Sequence, residues 1–365
     1  VFAESFESFF VNLRNLGGDE MFSKYLLTGA SGFLGGTVAE KLLKSGAKVR
    51  CLVLPEDKYA EDLPEGAEKI VGDVCDAESL RGFFEDAGAD TCVIHCAGYV
   101  SVASAPGKKI YDVNVKGTEN IVGWCREKGV GKLVYVSSVH AIPELPKGKV
   151  ISETKDFSPD KVEGDYAKSK AMATEIVLKA AEEGLDASIV FPSGIIGPED
   201  KAFGSITSML VSFLAWKLPF AVKGGYDFVD VRDVAEGIIS CAEKGSPGET
   251  YILSGHYASI KDILDTVKSI SGIKRCVSYL PIKLAEKVAP LYEKHALRRK
   301  KKLFFTPYAV SVLDSNGKFD REKAAKELDY RPRPLKCTLG DTLAWLKERK
   351  NALRIKTKSK SKNPI

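Results

Sequence analysis

Tyr166 and Lys170 stand four residues apart in D-Y-A-K-S-K, downstream of the glycine-rich stretch T-G-A-S-G-F-L-G at 28–35. Residues at that spacing share a helix face, so the ammonium of Lys170 can lie close to the phenol of Tyr166. A phenol titrates near 10 when unperturbed, and a neighbouring cation favours its ionised form. Lowering it by about three units takes roughly 4 kcal/mol of differential interaction. The result is a proton donor and acceptor usable near neutral pH. Gly29, Gly32 and Gly35 make a different demand, at the spacing G-x-x-G-x-x-G. They allow a tight turn, close backbone approach to a pyrophosphate, and free N–H groups aimed at that anion from a helix N-terminus. Either motif alone is weak, because tyrosines and lysines are common on helices and glycine triplets can be structural. The elements that hold them decide.

The first half of the chain alternates. Apolar runs predict strands at 24–27, 49–54, 69–71, 91–95, 132–137 and 187–191. Between them, amphipathic patterns predict helices at 35–45, 78–86, 111–128 and 164–183, the last carrying Tyr166. Strands separated by helices mean a parallel sheet covered on both faces. Ligands bind such sheets beyond the carboxyl ends of the strands. The glycine turn, G-D-V at 72–74, A-G-Y at 97–99, the serines 137 and 138, and P-S-G at 192–194 all fall at those ends. The fold class is therefore α/β, a Rossmann-type doubly wound parallel sheet.

After about residue 193 the alternation loosens, with short strands at 228–229 and 250–252 and helices at 259–271 and 282–297. The division expected is a Rossmann domain over 21–192 and a smaller C-terminal α/β substrate lobe over 193–349, interleaved with the sheet. Residues 1–20, with Phe2, Phe6, Phe9, Phe10 and Leu13 at helical spacing, read as an extension, with a short packed amphipathic helix as the alternative. Residues 350–365 read as a disordered basic tail.

A chain of 365 residues with 44% hydrophobic and 28% charged residues is that of a globular protein. Its net charge is +5. Eight Lys/Arg against the single acid Glu348 lie between Lys347 and Lys362, more than that whole excess, so the body is close to neutral. A nucleic-acid-binding face on the body is not indicated. Eight cysteines without C-x-x-C or metal-like spacing, and no signal peptide, read as reduced thiols in a cytoplasmic protein without a bound metal. The apolar stretch 206–222 is broken by Lys217 and Pro219, too short for a membrane span. It reads as a helix covering a substrate pocket. The run Arg298–Lys302 reads as a solvated face, with attraction to a membrane surface as its alternative. Arg232 and Asp233 read as a local ion pair.

Taken together, T-G-A-S-G-F-L-G, G-D-V, H-C-A-G, Ser138, Y-A-K-S-K, P-S-G-I-I-G-P, F-V-D-V-R-D-V-A at 228–235 and K-E-L-D-Y-R-P-R at 326–333 resemble the extended short-chain dehydrogenase/reductase family, the epimerase/dehydratase-type Rossmann superfamily. The similarity runs from about Lys24 to Glu348 and is closest to dihydroflavonol-reductase-like and 3β-hydroxysteroid-dehydrogenase-like members. It implies a bound NAD or NADP, a small-molecule carbonyl or alcohol substrate, and is compatible with a homodimer. Tyr166 would be the general acid/base, Lys170 its activator and ribose anchor, and Ser138 the donor to the substrate oxygen. Gly29, Ser31, Gly32, Phe33, Leu34 and Gly35 would hold the cofactor, with Asp73 and Val74 at the adenine and Ala97, Gly98 and Pro192 completing the set. Asn114, in D-V-N-V-K-G-T, would brace the backbone, and Ser137 would cap the strand end.

Departures from the pattern narrow the chemistry. Sugar-nucleotide dehydratases of the family place Asp-Glu after the catalytic Ser/Thr, whereas Val139 and His140 follow Ser138 here. Epimerases carry R-D-[FY]-[IV]-H-V, whereas this chain has Y-D-F-V-D-V with Tyr226 in the arginine's place. His140 reads as a packed or solvated side chain more readily than as a substrate contact. Val53 and Leu54 occupy the positions that usually separate NAD from NADP, and Glu56, Asp57 and Lys58 just beyond suit either. The leading expectation is an NAD(P)-dependent oxidoreductase acting through Ser138, Tyr166 and Lys170. Its rivals are a sugar-nucleotide 4-epimerase with tightly held NAD and a non-enzymatic dinucleotide sensor.

Overall fold

Runs of apolar, β-favouring residues buried on both faces make the central strands of this protein, as a parallel sheet between helices requires. The computed structural model describes residues 22–104, 107–299, 303 and 305–360. The expectations for residues 1–20 and for 361–365 lie outside the described residues. In chain order the strands are β1 (Lys24–Thr28), β2 (Val49–Val53), β3 (Glu68–Val71), β4 (Thr91–His95), β5 (Lys132–Val136), β6 (Ala187–Pro192), β7 (Gly194–Ile196), β8 (Phe220–Val222), β9 (Gly225–Asp230), β10 (Thr250–Leu253), β11 (His256–Ser259) and β12 (Ser278–Leu280). The helices are α1 (Phe33–Lys44), α2 (Gly117–Lys128), α3 (Asp165–Glu182), α4 (Ser205–Leu214), α5 (Val231–Lys244), α6 (Ile260–Ser271), α7 (Ile282–Arg298), α8 (Pro307–Asp314), α9 (Glu322–Glu327) and α10 (Leu335–Lys360).

Seven parallel strands form the main sheet in the order β10-β6-β5-β4-β1-β2-β3. The order reverses between β1 and β4, which opens a crevice beyond their carboxyl ends. After β6 the chain leaves the main sheet through β7, β8 and β9, returns to it with β10, and then adds β11 and β12, which complete a three-stranded sheet, β11-β9-β7, and the pair β12-β8. The helix α5 lies on α1 and is tied to it by Lys41 and Glu236 at 2.6 Å. No helix among the described residues is long and apolar enough to cross a membrane.

Several local expectations are corrected. Only a 3₁₀ turn, Glu78–Leu80, forms where 78–86 was expected to be a helix. The segment closes mostly through three-residue turn bonds, Leu80 N–H to the Ala77 carbonyl and Arg81 N–H to the Glu78 carbonyl among them, and the Phe83 carbonyl accepts from the Arg50 guanidinium at 3.2 Å. The expected helix over 111–128 starts as a single turn, Lys109–Tyr111, and passes through a π-helical segment, Asp112–Lys116, before becoming α2. Such segments carry one extra residue per turn. The helix α10 continues through Lys360, into the stretch read as a disordered tail. Its Lys, Arg, Leu and Ala residues favour helix, and extending an existing helix carries no nucleation cost. Arg232 and Asp233 do not pair with each other, because adjacent helical residues diverge. Arg232 joins Asp230 and Asp341, both at 2.7 Å, and Asp233 joins Arg333 at 2.7 Å.

Candidate active site

The turn between β1 and α1 is built so tightly that only glycine fits two of its positions. Gly29 adopts φ +71°, and a Cβ there would stand 2.7 Å from the Ala97 amide nitrogen. A Cβ on Gly35 would stand 2.1 Å from the Gly29 carbonyl oxygen. Gly32 caps α1 without any side-chain hydrogen bond, so the first-turn N–H groups stay available to an anion. The Ser31 hydroxyl donates to the Asp57 carboxylate, and Asp57 in turn accepts from the Tyr59 amide at 2.9 Å. Ser31, Gly32 and Phe33 line a cavity of about 760 Å³, with Tyr59 and Lys201 among the groups across it. Leu34 is half-buried beside them.

The other strand ends converge on the same edge. After β3, the Asp73 amide donates to the Ser79 hydroxyl at 2.9 Å. Val74 is buried, its carbonyl accepting from the Asn120 amide group at 2.7 Å. After β4, the Ala97 amide donates to the Thr28 hydroxyl at 3.1 Å, and Gly98 passes so close that a Cβ would lie 3.5 Å from Lys170 Nζ. Pro192 ends β6, paired with Leu253. Asn114, buried in the π segment, accepts from the Tyr99 amide at 2.7 Å and donates to the Tyr99 carbonyl at 3.1 Å and to the Ser169 hydroxyl at 2.9 Å. That is backbone bracing. Ser137, expected to cap the strand end, instead shares a hydrogen bond with Thr174 at 2.8 Å.

Ser138 at the end of β5 and Tyr166 in the first turn of α3 are neighbours. Burial pushes the Tyr166 phenol above its ordinary value, and the Ser138 hydroxyl opposes that rise. Lys170, one turn further and 4% exposed, points beneath them. Its ammonium donates to the Val136 carbonyl at 2.7 Å and to the Tyr135 hydroxyl at 3.2 Å, and it lies 4.8 Å from the centre of the Tyr135 ring. Burial holds Lys170 down to about 8. The expectation that Lys170 draws the Tyr166 phenol downward is thus not what this arrangement does. A buried cation must be hydrogen-bonded, and the free carbonyl at the end of β5 claims it first.

The partners of His95 and the aromatic cluster around His140 were not legible in the sequence. His95, at the end of β4, is buried and bonded at both ring nitrogens: Thr28 Oγ1 lies 2.7 Å from Nδ1 and Thr118 Oγ1 3.1 Å from Nε2. The Thr118 hydroxyl spends its proton on the Asn114 carbonyl at 2.7 Å, so it accepts from Nε2–H, and Nδ1 accepts from the Thr28 hydroxyl. Burial holds His95 down to about 3, neutral at physiological pH, with Lys170 adding to the effect. The tetrapeptide H-C-A-G contained the histidine, but its partners come from β1 and α2. The aromatic cluster surrounds His140. Its ring stacks on Tyr226 at 5.4 Å and 7°, meets Tyr166 edge-on at 5.9 Å, and lies 6.1 Å from Tyr308. Tyr226, standing where an arginine was expected in related enzymes, is buried in β9 and reaches His140 Nε2 at 3.4 Å. Gly164 at the start of α3 leaves room for the Tyr308 ring, which a Cβ would approach to 2.6 Å. A cavity of about 420 Å³ opens beside His140, Tyr226 and Tyr308.

Comparison with known proteins agrees with this construction. The NAD dependent epimerase/dehydratase family matches residues 25–254. Sterol demethylase protein B of Methylococcus capsulatus is 30% identical over 89% of this chain and 98% of its own length. A putative dihydroflavonol 4-reductase of Synechocystis is 29% identical over 88% of this chain and 94% of its own. The crystal structure of gox2253 superposes with a TM-score of 0.76 at 32% identity, covering 90% of this chain and 98% of that one. The chain therefore belongs to the NAD-dependent epimerase/dehydratase family, within the extended short-chain dehydrogenase/reductase superfamily, and is an NAD(P)-dependent enzyme of that type.

Proposed function

We propose that this enzyme interconverts a ketone or aldehyde with the corresponding alcohol, using Tyr166 as the proton donor and acceptor. The observation that carries the reading is the neighbourhood of Tyr166: the Ser138 hydroxyl beside it, Lys170 beneath it, and the aromatic rings of His140, Tyr226 and Tyr308 around it. The residues present fit a dinucleotide, since α1 opens straight from the tight glycine turn with no side chain capping its first N–H groups, and a cavity lies over Ser31, Gly32 and Phe33. When bound, NAD or NADP supplies or accepts the hydride. Ser138 donates a hydrogen bond to the substrate oxygen, and Tyr166 gives that oxygen its proton on reduction or takes it on oxidation. Lys170 holds the ribose hydroxyls and keeps a positive charge below the phenol.

What surrounds that centre favours an uncharged substrate. Val139 and His140 stand where family dehydratases place acids, so no carboxylate follows Ser138 to withdraw a proton for water loss. Tyr226 offers a ring rather than a guanidinium, which would have paired with nucleotide phosphates. The names of the relatives, a sterol demethylase protein and a dihydroflavonol 4-reductase, point the same way. Exchange of Tyr166→Phe should lower turnover by about 10²–10⁴-fold, with NADH or NADPH binding nearly intact by fluorescence titration. Unchanged turnover would sink the proposal. Purification with bound NAD and epimerisation without added cofactor would favour the epimerase reading instead.

A further inference from the structure

The helix α7 turns a small-residue face inward: Ala285, Ala289 and Ala296 are buried, the first two in a cluster with Val222, Phe305 and Val310. Glu293 also points inward, its carboxylate accepting from the Ser104 amide at 2.8 Å and the Ser104 hydroxyl at 2.7 Å. That orientation fixes what the other face carries. Lys283, Lys287, Lys294 and Arg298, at steps of four, seven and four residues, fall on it in one exposed stripe. Leu284 and Leu291 run along one side of the stripe at 46% and 71% exposure, and Leu297 lies on its other flank at 57%. The helix has one exposed acid, Glu286, set off the stripe. Three more lysines, 300–302, follow in the sequence.

We propose that this outer face of α7 docks the protein on an anionic membrane surface. A single exposed leucine means nothing. Three of them flanking four like charges is a composition that lipid satisfies at once, because anionic headgroups attract the cations while the leucines enter the acyl boundary. A nucleic-acid backbone would meet the charges and leave the leucines in water. The position also matters for the chemistry. Glu293, on the inner side of the same helix, holds the loop that follows Gly98, and Thr306 at the start of α8 donates to the Val102 carbonyl of that loop. An apolar substrate leaving the bilayer at α7 would arrive beside the loop that borders the candidate site.

The test is co-sedimentation of the full chain with vesicles of phosphatidylcholine alone, or of phosphatidylcholine with phosphatidylglycerol. The protein should partition to the anionic vesicles and scarcely to the neutral ones. The quadruple variant Lys283→Gln/Lys287→Gln/Lys294→Gln/Arg298→Gln should lose about a hundredfold or more of that partitioning. Leu284→Ser/Leu291→Ser should lose several-fold, and what remains should be abolished by salt. Both variants should retain wild-type cofactor affinity, since none of these side chains lies at the candidate site. Partitioning unchanged in both variants would overturn the assignment, because residues 1–20 or the basic end of α10 would then be carrying it. Absence of anionic-vesicle binding by the wild-type chain would overturn it as well, with or without retention on a DNA fragment.

Discussion

An ammonium that burial holds down to about 8 is a titrating group within reach of ordinary assay conditions. Lys170 is charged below that value and neutral above it, and the proposed hold on the ribose needs the charge. In the free enzyme kcat/KM should therefore fall as pH rises through about 8. Replacement Lys170→Arg should remove that limb, because a guanidinium stays charged throughout. A limb that persists unchanged in the arginine variant would assign it to another group. At this scale the sequence was informative where a motif carries its own spacing, as with Tyr166, Lys170 and the glycines. It was silent on His95, whose two hydrogen-bond partners lie in β1 and α2 and meet it only in the folded sheet. It misled on the partner of Lys170, since spacing on α3 says which face the lysine shares with Tyr166 but not that the Val136 carbonyl waits beneath it.

Elements were legible in proportion to how uniformly they are buried. The strands β2, β4, β5 and β6 are buried at every residue and read from the chain as short, mainly apolar runs, each with a polar residue such as Arg50 or Lys132. The 78–86 segment was misread because it closes mainly through three-residue turn bonds, such as Arg81 N–H to the Glu78 carbonyl and Glu85 N–H to the Gly82 carbonyl, and carries Gly82 in its middle. The π segment before α2 left no mark in the apolar pattern, because its extra residue is absorbed by Asn114 turning inward to brace Tyr99. The joint between β1 and α1 makes the sharpest element-level prediction. In Gly35→Ala the new methyl carbon would overlap the Gly29 carbonyl oxygen, so α1 must draw away from the turn. Stability should fall by about 1–3 kcal/mol, and cofactor affinity should fall by more than tenfold, measured by thermal melting and cofactor titration. A variant that melts and binds like the wild type would show that the turn has slack.

For the molecule as a whole, the doubly wound architecture followed from alternation alone, and the chain returns to the main sheet as β10, beside β6, after building β7, β8 and β9 outside it. The buried neutral His95 links that whole to acidity. Its pKa is about 3 in the fold, against 6.5 for the free side chain, so between those values the unfolded chain binds a proton that the native chain does not. Stability from this residue is complete above pH 6.5 and is lost as pH falls through the window toward 3, with a slope of up to about 1.4 kcal/mol per pH unit. Urea unfolding at pH 7 and pH 5 should show the loss, and His95→Asn should flatten it. An equal slope in the variant would place the acid sensitivity elsewhere.

The late return of β10 also has a consequence for assembly on the ribosome. Its six predecessors in the main sheet are complete at Pro192, yet β6 keeps an open hydrogen-bonding edge until Thr250 has been made. An unpaired edge of a buried strand is a template for pairing with another chain. Between those two points of synthesis the nascent protein is most exposed to mispairing with its neighbours on the same message, and translation pausing there would prolong the hazard.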